Sequence, residues 1–310
     1  MHDLVRLARP RQWAKSAFLL AGPVYGWADH KGPLEQLLVP ALLAAAVFAL
    51  VSSACYIVND IVDAPKDRLH PRKKTRPIAA GAVSPGVAGL VAGVLVVIAA
   101  ALLCAIGSFA GSARAFWVGA IAAAYAANVV AYSLYLKDRV IADVISLSMG
   151  FVFRVLAGCA AAAVAPSTWL LNCTLFLAMF LAFGKRLGER RIVGEDVAAT
   201  RAVQAHYTDD LLRMAVVVTG VVTLVTYSGY VQARGPSVSD MALGLNPLWF
   251  TMLPATYGLL RCILLLEHGW YDDPTELAVQ DWPTQLAAAV FVAITLGAMG
   301  LAGFAGRLGG

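Results

Sequence analysis

Stretches of this chain run for close to 20 residues or more without a single Asp, Glu, Lys or Arg, among them 37–58, 115–136, 166–184, 214–233, 241–260 and 282–306. Apolar segments of about 20 residues cross the hydrocarbon core of a bilayer as helices, since a helix satisfies its own backbone hydrogen bonds there. Six of them exclude a soluble fold. The chain is 60% hydrophobic and only 14% charged, where a soluble domain carries about 25% charged residues. It reads as an all-α, polytopic membrane protein. Nine spans are expected, at 13–28, 37–58, 84–107, 115–136, 140–164, 167–184, 211–232, 246–266 and 283–305, with 1–310 as one transmembrane catalytic domain.

Charge placement orients the bundle. With a cytoplasmic N-terminus, 18 of the 24 Lys and Arg fall in 1–15, 59–83, 137–139 and 185–213. Lys31, Arg114, Arg234 and Arg307 lie on the other side, and Arg154 and Arg261 lie within spans. This asymmetry follows the positive-inside rule, and it puts both long polar loops, 59–83 and 185–213, in the cytoplasm. It also accounts for the net charge of +5 without a nucleic-acid partner. The N-terminus carries Arg6, Arg9, Arg11 and Lys15 with no cleavage-site pattern after them, so no signal peptide is expected. A multi-pass protein of the inner (plasma) membrane is implied, with its chemistry at the cytoplasmic mouth. The cysteines at 55, 104, 159, 173 and 262 stand singly in apolar segments and read as small core hydrophobes.

That mouth holds the densest cluster of acids and bases. Residues 59–67 read N-D-I-V-D-A-P-K-D. On a helix, Asp60, Asp63 and Asp67 fall within about 60° of one another. Pro65 is expected to break the helix nearby, leaving Asp67 in the following turn. Carboxylates at a membrane boundary are costly unless they hold a cation. Mg²⁺ fits, because it binds few carboxylates and completes its shell with water and phosphate oxygens. The plainer alternative is a solvated helix end. Arg72, Lys73, Lys74 and Arg76 follow; such a run also anchors to anionic lipid. Arg76, pinned by Pro77, is the best phosphate candidate, because a guanidinium grips phosphate with two bonds.

The N-D-x-x-D-x-x-x-D string at the end of the second span, K-T-R-P (74–77) and nine helices resemble the UbiA superfamily of membrane prenyltransferases. R-P-R-Q-W-A-K (9–15), Y-S-L-Y-L-K-D (132–138) and F-G-K-R-L-G-E-R (183–190) are similar to its decaprenyl-phosphate phosphoribosyltransferase branch. That resemblance implies Mg²⁺-dependent transfer of 5-phosphoribosyl from phosphoribosyl pyrophosphate to decaprenyl or a similar polyprenyl phosphate, for the cell-wall arabinan precursor. It implies metal binding by Asn59, Asp60, Asp63 and Asp67, with Asp60 and Asp63 central to catalysis. Lys73, Arg76, Lys137, Lys185 and Arg186 would meet donor phosphates, and Gln12, Lys15, Arg154 and Glu189 would complete the pocket.

Prenyl-transferring members carry a second aspartate-rich string after span six; here Lys185, Arg186, Glu189, Arg190 and Arg191 stand instead. A more basic second site suits a donor with an additional phosphate, which phosphoribosyl pyrophosphate has. Other roles are open for several residues. Lys185 and Glu189, one turn apart, can pair; Arg154, costly inside a span, can pair with Asp143; Asp143 can orient a base; Lys137 can mark topology. The histidines form no cluster, His70 alone lying near the motif. Two other functions compete: prenyl transfer to an aromatic or other acceptor, and a transporter, which would place polar residues at mid-membrane. Small residues in 86–107 and 119–131 permit close helix contacts, including those of a homo-oligomer.

Overall fold

In the computed structural model, the helix that ends in the acidic motif is much longer than a bilayer is thick. Helix α3 (Glu35–Asp67) has 33 residues, about 50 Å at 1.5 Å per residue, against a hydrocarbon core of about 30 Å. Its apolar part up to Val58 is enough to cross; the turns that carry the acids project beyond. The structure describes residues 2–27, 32–69, 73–193, 207–238, 246–268 and 280–308.

Those residues are helical, in the order α1 (His2–Ala8), a 3₁₀ segment (Pro10–Leu20), α2 (Ala21–Gly26), α3, α4 (Pro85–Ala110), α5 (Ser112–Ala131), α6 (Ala142–Ala162), α7 (Thr168–Val193), α8 (Asp209–Val238), α9 (Met252–Glu267) and α10 (Trp282–Leu308). Eight of the described helices are long and apolar enough to cross a membrane. The first expected span, 13–28, is built from two shorter pieces, a 3₁₀ segment and α2, where Gly22, Pro23 and Gly26 interrupt a continuous α-helix. Helix α4 turns a nearly continuous apolar face outward, with Leu90 and Val97 about two-thirds exposed, as lipid contact requires.

The chain forms two compact units. The first comprises 1–23, 33–133 and 153–165. Within it α4 starts at a Ser84 cap that accepts from the Val87 amide at 3.3 Å, with Pro85 in its first turn. Gly111, at φ 101°, makes the tight corner into α5 that a side chain would oppose. Phe48, Val118, Ala122 and Tyr125 fill its membrane core. Leu19 of the 3₁₀ segment comes so close to α6 that a Cβ on Gly158 would lie 1.8 Å from the Leu19 carbonyl oxygen. A smaller cluster, Leu7, Ile57, Ala64, Ile78, Val83 and Ala88, ties α1 and the 78–83 turn to the acidic end of α3.

The second unit comprises 24–32, 134–152 and 166–310. Its core joins Val144, Phe180, Phe183, Leu187, Tyr207, Leu212 and Leu266. A buried hydroxyl chain runs from Tyr25 to Tyr227 (3.5 Å) and on to Thr251 (2.6 Å). The deep charge of Arg261 is met by Asp281, at 2.9 and 3.2 Å.

Candidate active site

The acidic motif lies on one helix. Pro65 does not end α3: the helix continues through it to Asp67. Proline removes the backbone donor that would meet the Ile61 carbonyl, and the last turn is held instead by buried Ala64 and by the bond from Arg76 to Asp67. Asp60 and Asp67, seven residues and nearly two turns apart, therefore face the same way. Both are buried, at 3% exposure. Asp63 and Asn59 are half-buried and joined to each other, the Asn59 amide donating to Asp63 Oδ2 at 2.9 Å.

Two arginines close on the buried pair. Arg76 donates from Nη1 to Asp60 Oδ1 at 3.0 Å and to Asp67 Oδ2 at 2.7 Å, bridging them. Arg9 donates from Nη2 to both oxygens of Asp60, at 2.6 and 2.8 Å, and its guanidinium lies 4.9 Å above the Tyr56 ring. Arg9 sits at φ 50°, ψ 58° between α1 and Pro10, a left-handed turn that ends α1 just before a proline. Ser53 of α3 fixes that turn: its hydroxyl lies 2.6 Å from the Ala8 carbonyl and accepts from Trp13 Nε1 at 2.9 Å. Arg76 is set by Ile78, buried in the cluster with Ile57 and Leu7. The arginines keep about a quarter of their side-chain surface exposed, toward a cleft of about 260 Å³ lined by Arg6, Arg9, Asp60, Thr75, Arg76 and Pro77. With three guanidiniums on its walls the cleft favours an anion.

The donor types fit a hard divalent cation, since Asp60, Asp63, Asp67 and Asn59 offer oxygens. Among the described residues, however, no three His, Cys, Asp or Glu side chains converge as metal ligands; Asp60 and Asp67 hold arginine instead.

The other expected residues separate by environment. Lys73 is half-buried in a short 3₁₀ turn with Lys74 and Thr75. Gln12 and Lys15 lie half-buried on the 3₁₀ segment. Arg154 is buried and donates to the Tyr125 hydroxyl at 3.1 Å, its guanidinium 4.7 Å over the ring. Asp143 pairs with Arg186 instead, both closed from solvent. Tyr207 completes that group, donating to Asp143 Oδ1 at 2.8 Å and accepting from the Ile141 amide at 2.6 Å. Burial pushes the Tyr207 hydroxyl up to about 12. Lys137, Lys185 and Glu189 are half-buried, whereas Arg186 is buried against Asp143. His70 and Arg72 lie outside the described residues. Sequence reasoning missed Arg9 as a partner of Asp60 and Tyr207 as a partner of Asp143. The Arg-Pro step at 9–10 was a usable signal for a fixed turn; nothing in the sequence marks Tyr207.

Residues 16–276 match the UbiA prenyltransferase family. The chain belongs to that family. Among UbiA relatives, the decaprenyl-phosphate phosphoribosyltransferase of Mycolicibacterium smegmatis is 31% identical over 310 residues, covering 95% of this chain and 91% of the relative. The Mycobacterium tuberculosis protein of the same name is 30% identical over 303 residues, covering 95% and 93%. The UbiA fold itself is recognised in a homologue from Archaeoglobus fulgidus solved with GPP and Mg²⁺, at a TM-score of 0.66 and 16% identity, over 96% of this chain and 99% of that one.

Proposed function

We propose that this UbiA protein transfers the 5-phosphoribosyl group of phosphoribosyl pyrophosphate to decaprenyl phosphate, or a similar polyprenyl phosphate, and releases diphosphate. The product would feed cell-wall arabinan synthesis. The observation that carries this reading is the near end-to-end match to two relatives bearing that name. A cleft walled by arginines above a run of carboxylates supports it. The active site is taken to face the cytoplasm across the inner membrane, as the Lys and Arg distribution favours.

The reaction breaks the C1–O bond of the ribose, the electron pair leaving with diphosphate, and a lipid phosphate oxygen forms the new bond to C1. That oxygen is already anionic near neutral pH, so the chain needs no strong general base. Asp60, Asp63, Asp67 and Asn59 would hold Mg²⁺, which stabilises the charge building on the leaving diphosphate. Arg9 and Arg76 face the cleft and would bind diphosphate oxygens, and Lys73 adds charge beside them. Such contacts gain strength where water is scarce.

The test is radiolabelled phosphoribosyl pyrophosphate incubated with purified protein, decaprenyl phosphate and Mg²⁺. Organic-soluble label is expected, lost with EDTA and in Asp63→Ala protein that still inserts. Absence of label with wild type overturns the reading. A second reading, prenyl transfer, is favoured by the GPP-bound homologue of the same fold. It gains if labelled prenyl diphosphate, and not the ribosyl donor, is consumed.

A further inference from the structure

Asp60 gives no oxygen to a metal as it stands. Arg9 takes both oxygens, Arg76 takes one of them again, and the carboxylate is 3% exposed. Asp67 is buried and held by the same Arg76. A divalent ion reaching these oxygens must displace a guanidinium, and a displaced guanidinium needs a new counter-charge. The cleft offers one place for it, on the partly exposed side of both arginines beside Thr75. An arginine that gives up a carboxylate there can take a phosphate oxygen pair with two bonds.

We infer that Arg9 and Arg76 act as internal stand-in cations, occupying Asp60 and Asp67 until a diphosphate draws them away, so that metal and diphosphate enter together. The inference rests on the metal reading of the acidic motif given above. Arg9 is suited to the exchange. Its left-handed backbone is disfavoured for a non-glycine residue, so its place is held by partners: Asp60, the Tyr56 face and the Ser53 contact on Ala8. Exchange of one anionic partner for another leaves the ring contact and the turn in place. Coupling of this kind is reciprocal: whatever factor diphosphate adds to metal affinity, metal adds to diphosphate affinity.

The two ligands should therefore respond in opposite senses to loss of the guanidinium. Binding of Mn²⁺ alone and of pyrophosphate alone is measured by retention on full-length protein in lipid nanodiscs, for wild type and Arg9→Gln. Arg9→Gln is expected to bind Mn²⁺ alone about tenfold more tightly and pyrophosphate about tenfold more weakly, within the usual range of coupling factors. Mn²⁺ should also raise the unfolding temperature of the variant more than that of wild type. If Arg9→Gln does not purify folded, Arg76→Gln makes the same measurement. Unchanged or weaker Mn²⁺ binding in the variant overturns the inference and leaves the metal reading standing. If Mn²⁺ is retained by neither protein, even with pyrophosphate present, the metal reading fails and the inference with it.

Discussion

Arg186 donates to Asp143 with both side chains shut away from solvent, 3% and 0% exposed. Arg186 is a buried cation with a buried counter-charge. Removing one partner of such a pair leaves an uncompensated charge and costs about 3–5 kcal/mol. Arg186→Met should therefore lower the unfolding midpoint sharply, while Asp143→Asn combined with Arg186→Met recovers part of the loss. Thermal unfolding in detergent checks both; a single variant as stable as wild type would remove the structural role.

Gly158→Ala tests how the 3₁₀ segment is seated. A Cβ there meets the Leu19 carbonyl at 1.8 Å, and backbone cannot yield as a side-chain tip can. Overpacking of this kind costs about 1–3 kcal/mol. Because the same segment carries Gln12 and Lys15 and follows Arg9, activity should fall further than stability alone explains. An activity assay below the unfolding temperature separates the two.

Tyr207→Phe deletes one donor to Asp143 and the acceptor for the Ile141 amide, and Ile141 sits at φ 69°. A loss of about 1–3 kcal/mol is expected. The pH profile carries a second signature. Unfolded tyrosine ionises near 10 and folded Tyr207 at about 12, so its contribution is complete below pH 10 and is lost as pH rises toward 12. The slope of stability across that window should be shallower in Tyr207→Phe.

Asp281 gives the opposite window. The side-chain hydrogen bonds from Arg261 hold its carboxyl at about 2, below the usual 3.8, with Thr284 adding a side-chain and a backbone donor. A depressed carboxyl stabilises above pH 3.8, and that stabilisation fades as pH falls through 2. Asp281→Asn should flatten acid unfolding between pH 4 and pH 2, read by tryptophan fluorescence. An unchanged acid profile would show that the Arg261 contact carries no net stabilisation.

Much of this protein was legible in one dimension. Length and polarity of the apolar runs decide that helices cross a membrane, because no other structure satisfies the backbone in lipid. Helical periodicity places Asp60 and Asp63 on one face of α3; Asp67 joins them because the helix runs on through Pro65, against the expected break. Neither says which cation meets which carboxylate. Arg9 reaches Asp60 from 51 positions away because Leu7 packs with Ile57 and Ala64 on α3. Asp143 takes Arg186 from 43 positions away, and Arg154 turns to Tyr125. Pro65 stays helical because its neighbours Ala64 and Asp67 are held by tertiary partners, Ala64 in the cluster with Leu7 and Ile78 and Asp67 by Arg76. Sequence alone determined the membrane helices and the shared face of Asp60 and Asp63, which are local and periodic properties. The tertiary structure alone decided the pairing of charges, because a buried ion finds its partner through the packing of distant apolar residues.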